Sequence, residues 1–209
     1  VHRSAHTLAE EATIGFEESR EKIRNWFGAG ESRVVFTSGT TEAINLVAQS
    51  WAKVNLNEGD VVVLTEMEHH ADIVPWQMLT SEIGVELRWV PFDLETFELD
   101  MGAYEVAVQG ASLVGAVHTS NVLGVRNPVE QMVELAHQAG AKVLIDAAQA
   151  APHDRIGFDS LGADFLALSA HKMGGPTGIG VLLINEVAFQ QMQPFMGGGD
   201  MIREVHFDY

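Results

Sequence analysis

Lys172 stands in the stretch Ser169-Ala170-His171-Lys172, directly ahead of Met173-Gly174-Gly175-Pro176-Thr177-Gly178-Ile179-Gly180. Strand-like runs flank it, Asp164 to Leu168 on one side and Gly180 to Ile184 on the other. A lysine at the mouth of a strand, beside Ser and His and before a glycine-rich turn, is an unusual place for a solvated charge. Its amine attacks a carbonyl only when neutral, and burial near other cations lowers a lysine pKa. The chemical reading is therefore a Schiff-base lysine. Taken alone, the stretch fits an ordinary loop lysine better, so the rest of the chain has to decide. The Ser-x-x-Lys pattern of serine acyl-enzymes is a further option, but it needs companion Ser-Asp-Asn and Lys-Thr-Gly motifs. Neither occurs here.

Three more clusters carry usable chemistry. Ser38-Gly39-Thr40-Thr41-Glu42-Ala43 joins a strand to a helix start. Free N–H groups and the helix dipole there favour a phosphate. Gly39 permits close backbone approach, and the Thr40 and Thr41 hydroxyls add donors. The plain alternative is a threonine N-cap, and the Gly-Lys-Ser/Thr of a Walker loop is missing. Glu66-Met67-Glu68-His69-His70-Ala71-Asp72 invites a metal reading, yet neither zincin spacing is present. Adjacent His69 and His70 diverge in direction, so no metal site is assigned. An imidazole stacked on an aromatic cofactor is the better functional use, against a pair of partly exposed loop histidines. Asp146-Ala147-Ala148-Gln149 follows the apolar Val143-Leu144-Ile145. An aspartate there can pair with a protonated ring nitrogen, as it does with pyridoxal phosphate, and Gln149 can donate to a ring oxygen. A strand-end aspartate also serves commonly as a helix cap. A phosphate cradle, a stacking ring, a nitrogen partner and a lysine together specify pyridoxal 5'-phosphate.

The elements that must position these clusters alternate between strand and helix patterns, the mark of an α/β fold with a mainly parallel sheet. Strands are expected at Val34–Phe36, Val61–Leu64, Glu86–Val90, Leu113–Val117, Val143–Ile145, Phe165–Leu168 and Val181–Ile184. The last follows its neighbour after a short turn and is expected to run antiparallel, because a parallel neighbour needs a longer crossover. Helices are expected from Ala5 to Phe27, with Leu8, Ala12, Phe16, Ile23 and Trp26 near one face, from Thr41 to Lys53, and from Ile73 to Ile83. Asn127-Pro128-Val129-Glu130 reads as an N-cap, a proline at N1 and an acid at N3, opening a helix that ends at Gly140. The polar clusters, His118 to Asn121 among them, each lie just after a strand. Ligands of such sheets sit at the carboxyl ends of the strands, so the clusters converge on one site.

Composition sets the outer limits. The 209 residues are 46% hydrophobic, enough for one sizeable core. Twelve basic against 29 acidic residues give a net charge of −17, which argues against nucleic-acid or anionic-membrane binding. No apolar run is long enough to span a bilayer, and no signal peptide is visible, so a soluble, cytoplasmic protein is expected. Without a cysteine, the chain has no disulfide, thiolate metal site or thiol nucleophile of its own.

With these motifs in hand, the sequence resembles the fold-type I, class V pyridoxal-phosphate enzymes over essentially its whole length. It is most similar to the SUF-type cysteine desulfurases and their selenocysteine lyase relatives. The resemblance is carried by Val34 to Asn45, Glu68 to Trp76, Ser120-Asn121-Val122-Leu123-Gly124, Asp146 to Gln149 and Ser169 to Gly180. The His69-His70 pair and Gly175-Pro176-Thr177-Gly178 favour this branch over the other desulfurase branch. The resemblance implies that Lys172 forms the Schiff base with the cofactor and shuttles protons, and that Thr41, Ser169 and His171 hold its phosphate. It implies that His69 stacks on the ring, Asp146 meets the ring nitrogen, Gln149 the ring hydroxyl, and Asn121 lies beside the substrate. The implied reaction removes sulfur from L-cysteine, or selenium from L-selenocysteine, leaving alanine, for iron–sulfur cluster assembly. The implied partners are a second copy, as a homodimer whose interface the Gly197-Gly198-Gly199 segment approaches, and a sulfur-acceptor protein.

The family's catalytic cysteine and its substrate-binding arginine belong to a C-terminal segment that has no counterpart in this sequence. Ser38 also stands where close relatives often carry arginine. The expectation is a seven-stranded large domain over residues 1–209, cut from a longer enzyme at both ends and lacking the small domain. Two alternatives stand beside the desulfurase: another class V enzyme (an aminotransferase, epimerase or kynureninase-like hydrolase), and a non-catalytic scaffold that keeps the fold.

Overall fold

A computed structural model describes residues 6–198. Ala5, expected to start the first helix, and Gly199 of the glycine triplet lie outside the described residues. Seven strands form one sheet in the order β1-β7-β6-β5-β4-β2-β3. They are β1 (Arg33–Thr37), β2 (Val61–Thr65), β3 (Glu86–Val90), β4 (Leu113–Val117), β5 (Lys142–Asp146), β6 (Phe165–Ser169) and β7 (Gly180–Ile184). β7 runs antiparallel to both of its neighbours, with Leu168 opposite Val181 and Phe36 opposite Val181 from the other side. The other pairings are parallel. The expected strands and the antiparallel last strand are all present, each within a residue of its expected bounds.

The interior strands are legible because both of their faces are covered. β2, β4, β6 and β7 are buried at every position, and their apolar runs feed two cores. Val61, Val63, Val114, Val143, Ile145, Leu166 and Leu183 point to one side. There they meet α5 (Met101–Ala107), α6 (Val129–Gln138) and α7 (Phe158–Leu161). Val62, Leu64, Leu113, Leu144, Phe165 and Leu182 point to the other. That side is closed by α2 (Thr40–Val47), its continuation through a π-helical turn (Ala48–Ala52) into α3 (Lys53–Asn55), α4 (Val74–Ile83) and α8 (Glu186–Gln190). Each such side chain contributes roughly 1.5–3 kcal/mol on burial, so the sheet is a rigid platform for whatever its ends carry.

Three expectations need correction. The helix expected over Thr41 to Lys53 is not regular: its middle widens into the π turn, where Ser50 O accepts from Gln193 N–H. Asn127 is not an N-cap. Its Nδ2 donates to Val117 O at 2.8 Å and ties the end of β4 to α6, so Pro128 takes the cap position. α1 (Thr7–Trp26) lies against β1 through Arg20, which bonds Val34 O and sits 5.1 Å from the Phe16 and Phe36 rings. The stripe expected on this helix stays largely uncovered, with Leu8, Phe16 and Trp26 exposed by 67%, 49% and 61%. α1 thus adds little to the core.

Candidate active site

The carboxyl ends of β1, β2, β4, β5 and β6 lie at one edge of the sheet, and antiparallel β7 brings its first residue, Gly180, to the same edge. A cavity of about 240 Å³ opens there. Thr40, Thr41, His69, Asn121, Asp146, Gln149, Ser169, His171 and Lys172 all line it. Gly39 does not. It caps α2 and packs under β7, where a Cβ on Gly180 would stand 2.5 Å from the Gly39 Cα. The requirement for glycine therefore falls on Gly180, which lets the start of α2 approach the sheet.

Ser169 closes β6, and a 3-10 turn (Ala170–Met173) follows, ended by Gly174 in the left-handed region at φ 77°. Gly175 N–H donates to Ala170 O, and Ala170 N–H to Ile179 O, folding the loop back onto β7. This holds Lys172 at the cavity wall. Among the described residues its amine has neither an ion-pair nor a hydrogen-bond partner. The Ser169 hydroxyl accepts from Thr40 N–H at 2.8 Å and lies 2.7 Å from Thr40 Oγ1. With an acceptor lone pair already used, the Ser169–Thr40 pair retains a hydroxyl proton to donate beside the first turn of α2. First-turn N–H groups lack partners within a helix, so this corner suits an anion.

His69 precedes a 3-10 turn (His70–Asp72), and its Nδ1 accepts from Ala71 N–H at 3.1 Å. The ring proton is thereby placed on Nε2, and the ring is fixed at the cavity wall. His70 stacks edge-on to it, 5.4 Å between centroids, and points elsewhere. Among the described residues no cluster of His, Cys, Asp and Glu could hold a metal ion.

Asp146 is 3% exposed at the end of β5. Its Oδ1 accepts from Ala148 N–H at 2.8 Å, while Oδ2 has no hydrogen-bond partner among the described residues. Burial pushes its pKa up, while the Ala148 N–H, Lys172 and His69 pull it back. The cap reading of Asp146 thus accounts for one oxygen, and the other is free for a ligand. Asn121 lies on the tight turn after β4 that Ser120 and Val125 close. Gln149 and His171 complete the wall.

Sequence reasoning misses two acids behind this wall. Glu68 is 8% exposed and Asp72 is not exposed at all. Their spacing of four, with Trp76 four further on, is the available signal, and the metal question draws attention away from it. Ala71, Val117 and Ala148 also line the cavity as apolar filler.

The arrangement suits a small planar ligand with an anionic group, a basic ring nitrogen and a carbonyl. The α2 corner has donors for the anion, Asp146 Oδ2 a lone pair for the nitrogen, Lys172 an amine for the carbonyl, and His69 a flat ring for one face. The volume is compact beside ordinary ligand pockets of roughly 300–1,000 Å³.

Comparison with known proteins gives the same direction. The family model described as "Aminotransferase class-V" matches residues 1–209. A cysteine desulfurase of Klebsiella pneumoniae subsp. pneumoniae is 47% identical over 209 residues, covering 98% of this chain and 51% of its own length. The apo structure of a cysteine desulfurase from Thermococcus onnurineus NA1 superposes with a TM-score of 0.92 at 42% identity, over 99% of this chain and 52% of that one. The Escherichia coli cysteine desulfurase CsdA, in an S-sulfonic acid form, gives a TM-score of 0.87 at 36% identity, over 100% of this chain and 52% of that one. The chain spans about half the length of these relatives.

Proposed function

The chain belongs to the class-V aminotransferase family, and from that premise we propose that its cavity binds pyridoxal 5'-phosphate for the desulfuration of L-cysteine. Class-V aminotransferases and cysteine desulfurases are pyridoxal-phosphate enzymes. The observation that carries the reading is the spare Oδ2 of the buried Asp146, in one cavity with an unpaired Lys172. Residues 1–209 then form the cofactor-binding large domain of the enzyme.

When bound, pyridoxal phosphate supplies an aldehyde for imine formation and a ring that accepts electrons. The chain's own residues do the rest. Thr41, Ser169 and His171, with the first turn of α2, hold the phosphate; Thr40 orients the Ser169 hydroxyl. Asp146 keeps a proton on the ring nitrogen through charge, Gln149 donates to the ring hydroxyl, and the His69 ring covers one face. Lys172 provides the amine and moves a proton at its Nζ. Asn121 lies on the substrate side. The sulfur of cysteine leaves to a thiolate, which becomes a persulfide, and L-alanine remains. The 209 residues contain no cysteine, and their hydroxyls are far weaker nucleophiles without an activating base. The accepting thiolate is therefore proposed to come from outside them. L-selenocysteine as a second substrate, a sulfur-acceptor protein, iron–sulfur cluster assembly, a homodimer and a cytoplasmic location belong to the same proposal. The uncovered apolar side chains of α1 support the homodimer. Among the described residues no helix is long and apolar enough to cross a membrane.

The test is spectroscopic. The purified chain mixed with pyridoxal phosphate is expected to show a visible absorbance band that Lys172→Ala removes. L-cysteine should then leave no persulfide on the chain. A spectrum identical to that of free cofactor overturns the cofactor assignment. Sustained alanine production by the chain alone overturns the placement of the sulfur acceptor.

A further inference from the structure

Behind the cavity, two carboxyl groups lie close together with too few protons. Glu68 Oε1 accepts from Thr65 Oγ1 at 2.6 Å and from Val117 N–H at 2.8 Å. Asp72 Oδ1 accepts from Trp76 Nε1 at 2.8 Å. Glu68 Oε2 and Asp72 Oδ2 are buried, and neither has a donor among the described residues. Both carboxyl groups lie against the same stretch of β4, Glu68 at Val117 and Asp72 at Gly115, and each acts on the proton affinity of the other. Ionised carboxylates offer only lone pairs, so two of them side by side, out of water, repel. With one proton between them the pair can close into a short, charge-assisted O–H···O⁻ bond.

We infer that Glu68 and Asp72 share a single proton, and that this pair positions the His69 turn against β4. Glu68 ties the front of the turn to Val117, the last residue of β4. Asp72 N–H holds the back of the turn to His69 O at 2.7 Å. The carboxyl pair closes the loop between them. Among the described residues, the groups around the pair offer no cation in place of the proton. β2 brings Leu64 and Thr65, α4 brings Trp76, and β4 brings Val117 and Gly115, none of them charged. A Cβ on Gly115 would stand 3.1 Å from both Asp72 oxygens, so this wall is closed against a cation. The other ionisable group acting on the pair is Asp146 of β5. Its negative charge raises the proton affinity of both, while Lys172 and His69 act on Asp146 instead. Burial raises both members of the pair. The folded chain thus holds a proton that the unfolded chain releases above the ordinary carboxylate range. Stability from the shared proton is complete below the ordinary carboxylate range and is lost as pH rises above it, through the raised range of the pair.

The experiment is urea unfolding of the purified chain across that window, with Asp72→Asn, Glu68→Gln and the double variant alongside. No cofactor is needed, so failure here leaves the reading of the cavity untouched. Either amide replaces the shared proton with a fixed N–H donor. The wild-type unfolding constant is expected to rise, relative to Asp72→Asn, by about tenfold per pH unit, the signature of one bound proton. Glu68→Gln should flatten the profile in the same way, and serves if Asp72→Asn does not fold. In the double variant Oε1 and Oδ1 stay committed to their donors, so two NH2 groups face each other. It should be less stable than either single variant. The infrared carbonyl stretch of a protonated carboxyl group should appear in wild type and be absent from Asp72→Asn. Parallel pH profiles for wild type and both single variants, or a double variant as stable as the singles, overturn the inference.

Discussion

Asp164 and the acids behind the cavity are buried to similar degrees and differ in what surrounds them. Asp164, 1% exposed, lies at the sheet edge opposite the cavity, where β5 and β6 begin and β7 ends. Its Oδ1 accepts from Lys142 Nζ and Asn185 Nδ2, each at 2.8 Å. Its Oδ2 accepts from Val143 N–H at 2.8 Å and lies 2.9 Å from His137 Nε2. Every lone pair has a use, and the carboxylate fastens β5, β6, β7 and α6 together. At the cavity edge Asp146, Glu68 and Asp72 each keep one oxygen without a donor among the described residues. Saturation marks an acid that serves the fold. A spare oxygen in a buried acid marks one reserved for a ligand or a proton.

The contrast is sharpest on removing each acid. Asp164→Ala strands four donors, one of them a partly buried lysine, and should cost about 3–5 kcal/mol, read as a shifted urea midpoint. Gly180→Ala tests the other edge by steric means. Its methyl group would collide with Gly39, and a loss of about 1–3 kcal/mol is expected, together with weaker cofactor retention in a spectral titration. Lys142→Met takes one donor from four, so Asp164 should remain satisfied and the cost should be about 1 kcal/mol or less. Asp146→Asn is expected to change stability least. Burial raises the Asp146 pKa, so wild type loses stability relative to the Asp146→Asn variant as pH rises through that raised value. At neutral pH the variant should be as stable as wild type or more so, yet lose the visible band of bound cofactor. An Asp146→Asn chain as damaged as Asp164→Ala would erase the contrast.

The strands and the clusters after them are legible because interior parallel strands are continuous apolar runs, and polar residues stand out where they stop. Lys172, Asp146 and His69 are found this way. α7 and α8 are too short to show a helical period, and α5 buries little beyond Tyr104. Asn127 has the right type and spacing for a cap, but a stronger claim on its amide, the Val117 carbonyl, comes from β4. Glu68 and Asp72 escape a linear reading for a related reason. Their burial depends on Gly115, over forty residues away, and the local sequence carries no sign of that approach.

β7 separates β1 from the rest of the sheet, and among the described residues β1 has no other strand to pair with. Arg33 must wait for Ile184 and Thr37 for Gly180. At ribosomal speeds of about 5–20 residues per second, that wait is roughly 7–30 s. Throughout it a short apolar strand has no strand to pair with, which is when chaperones find such segments. The anion corner of the cavity rests on the contact between Gly39 and Gly180, so it is among the last parts of the molecule to take shape. Cofactor capture is then a readout of completed synthesis through residue 184, and a ligand added early would find lysine and aspartate but no cradle.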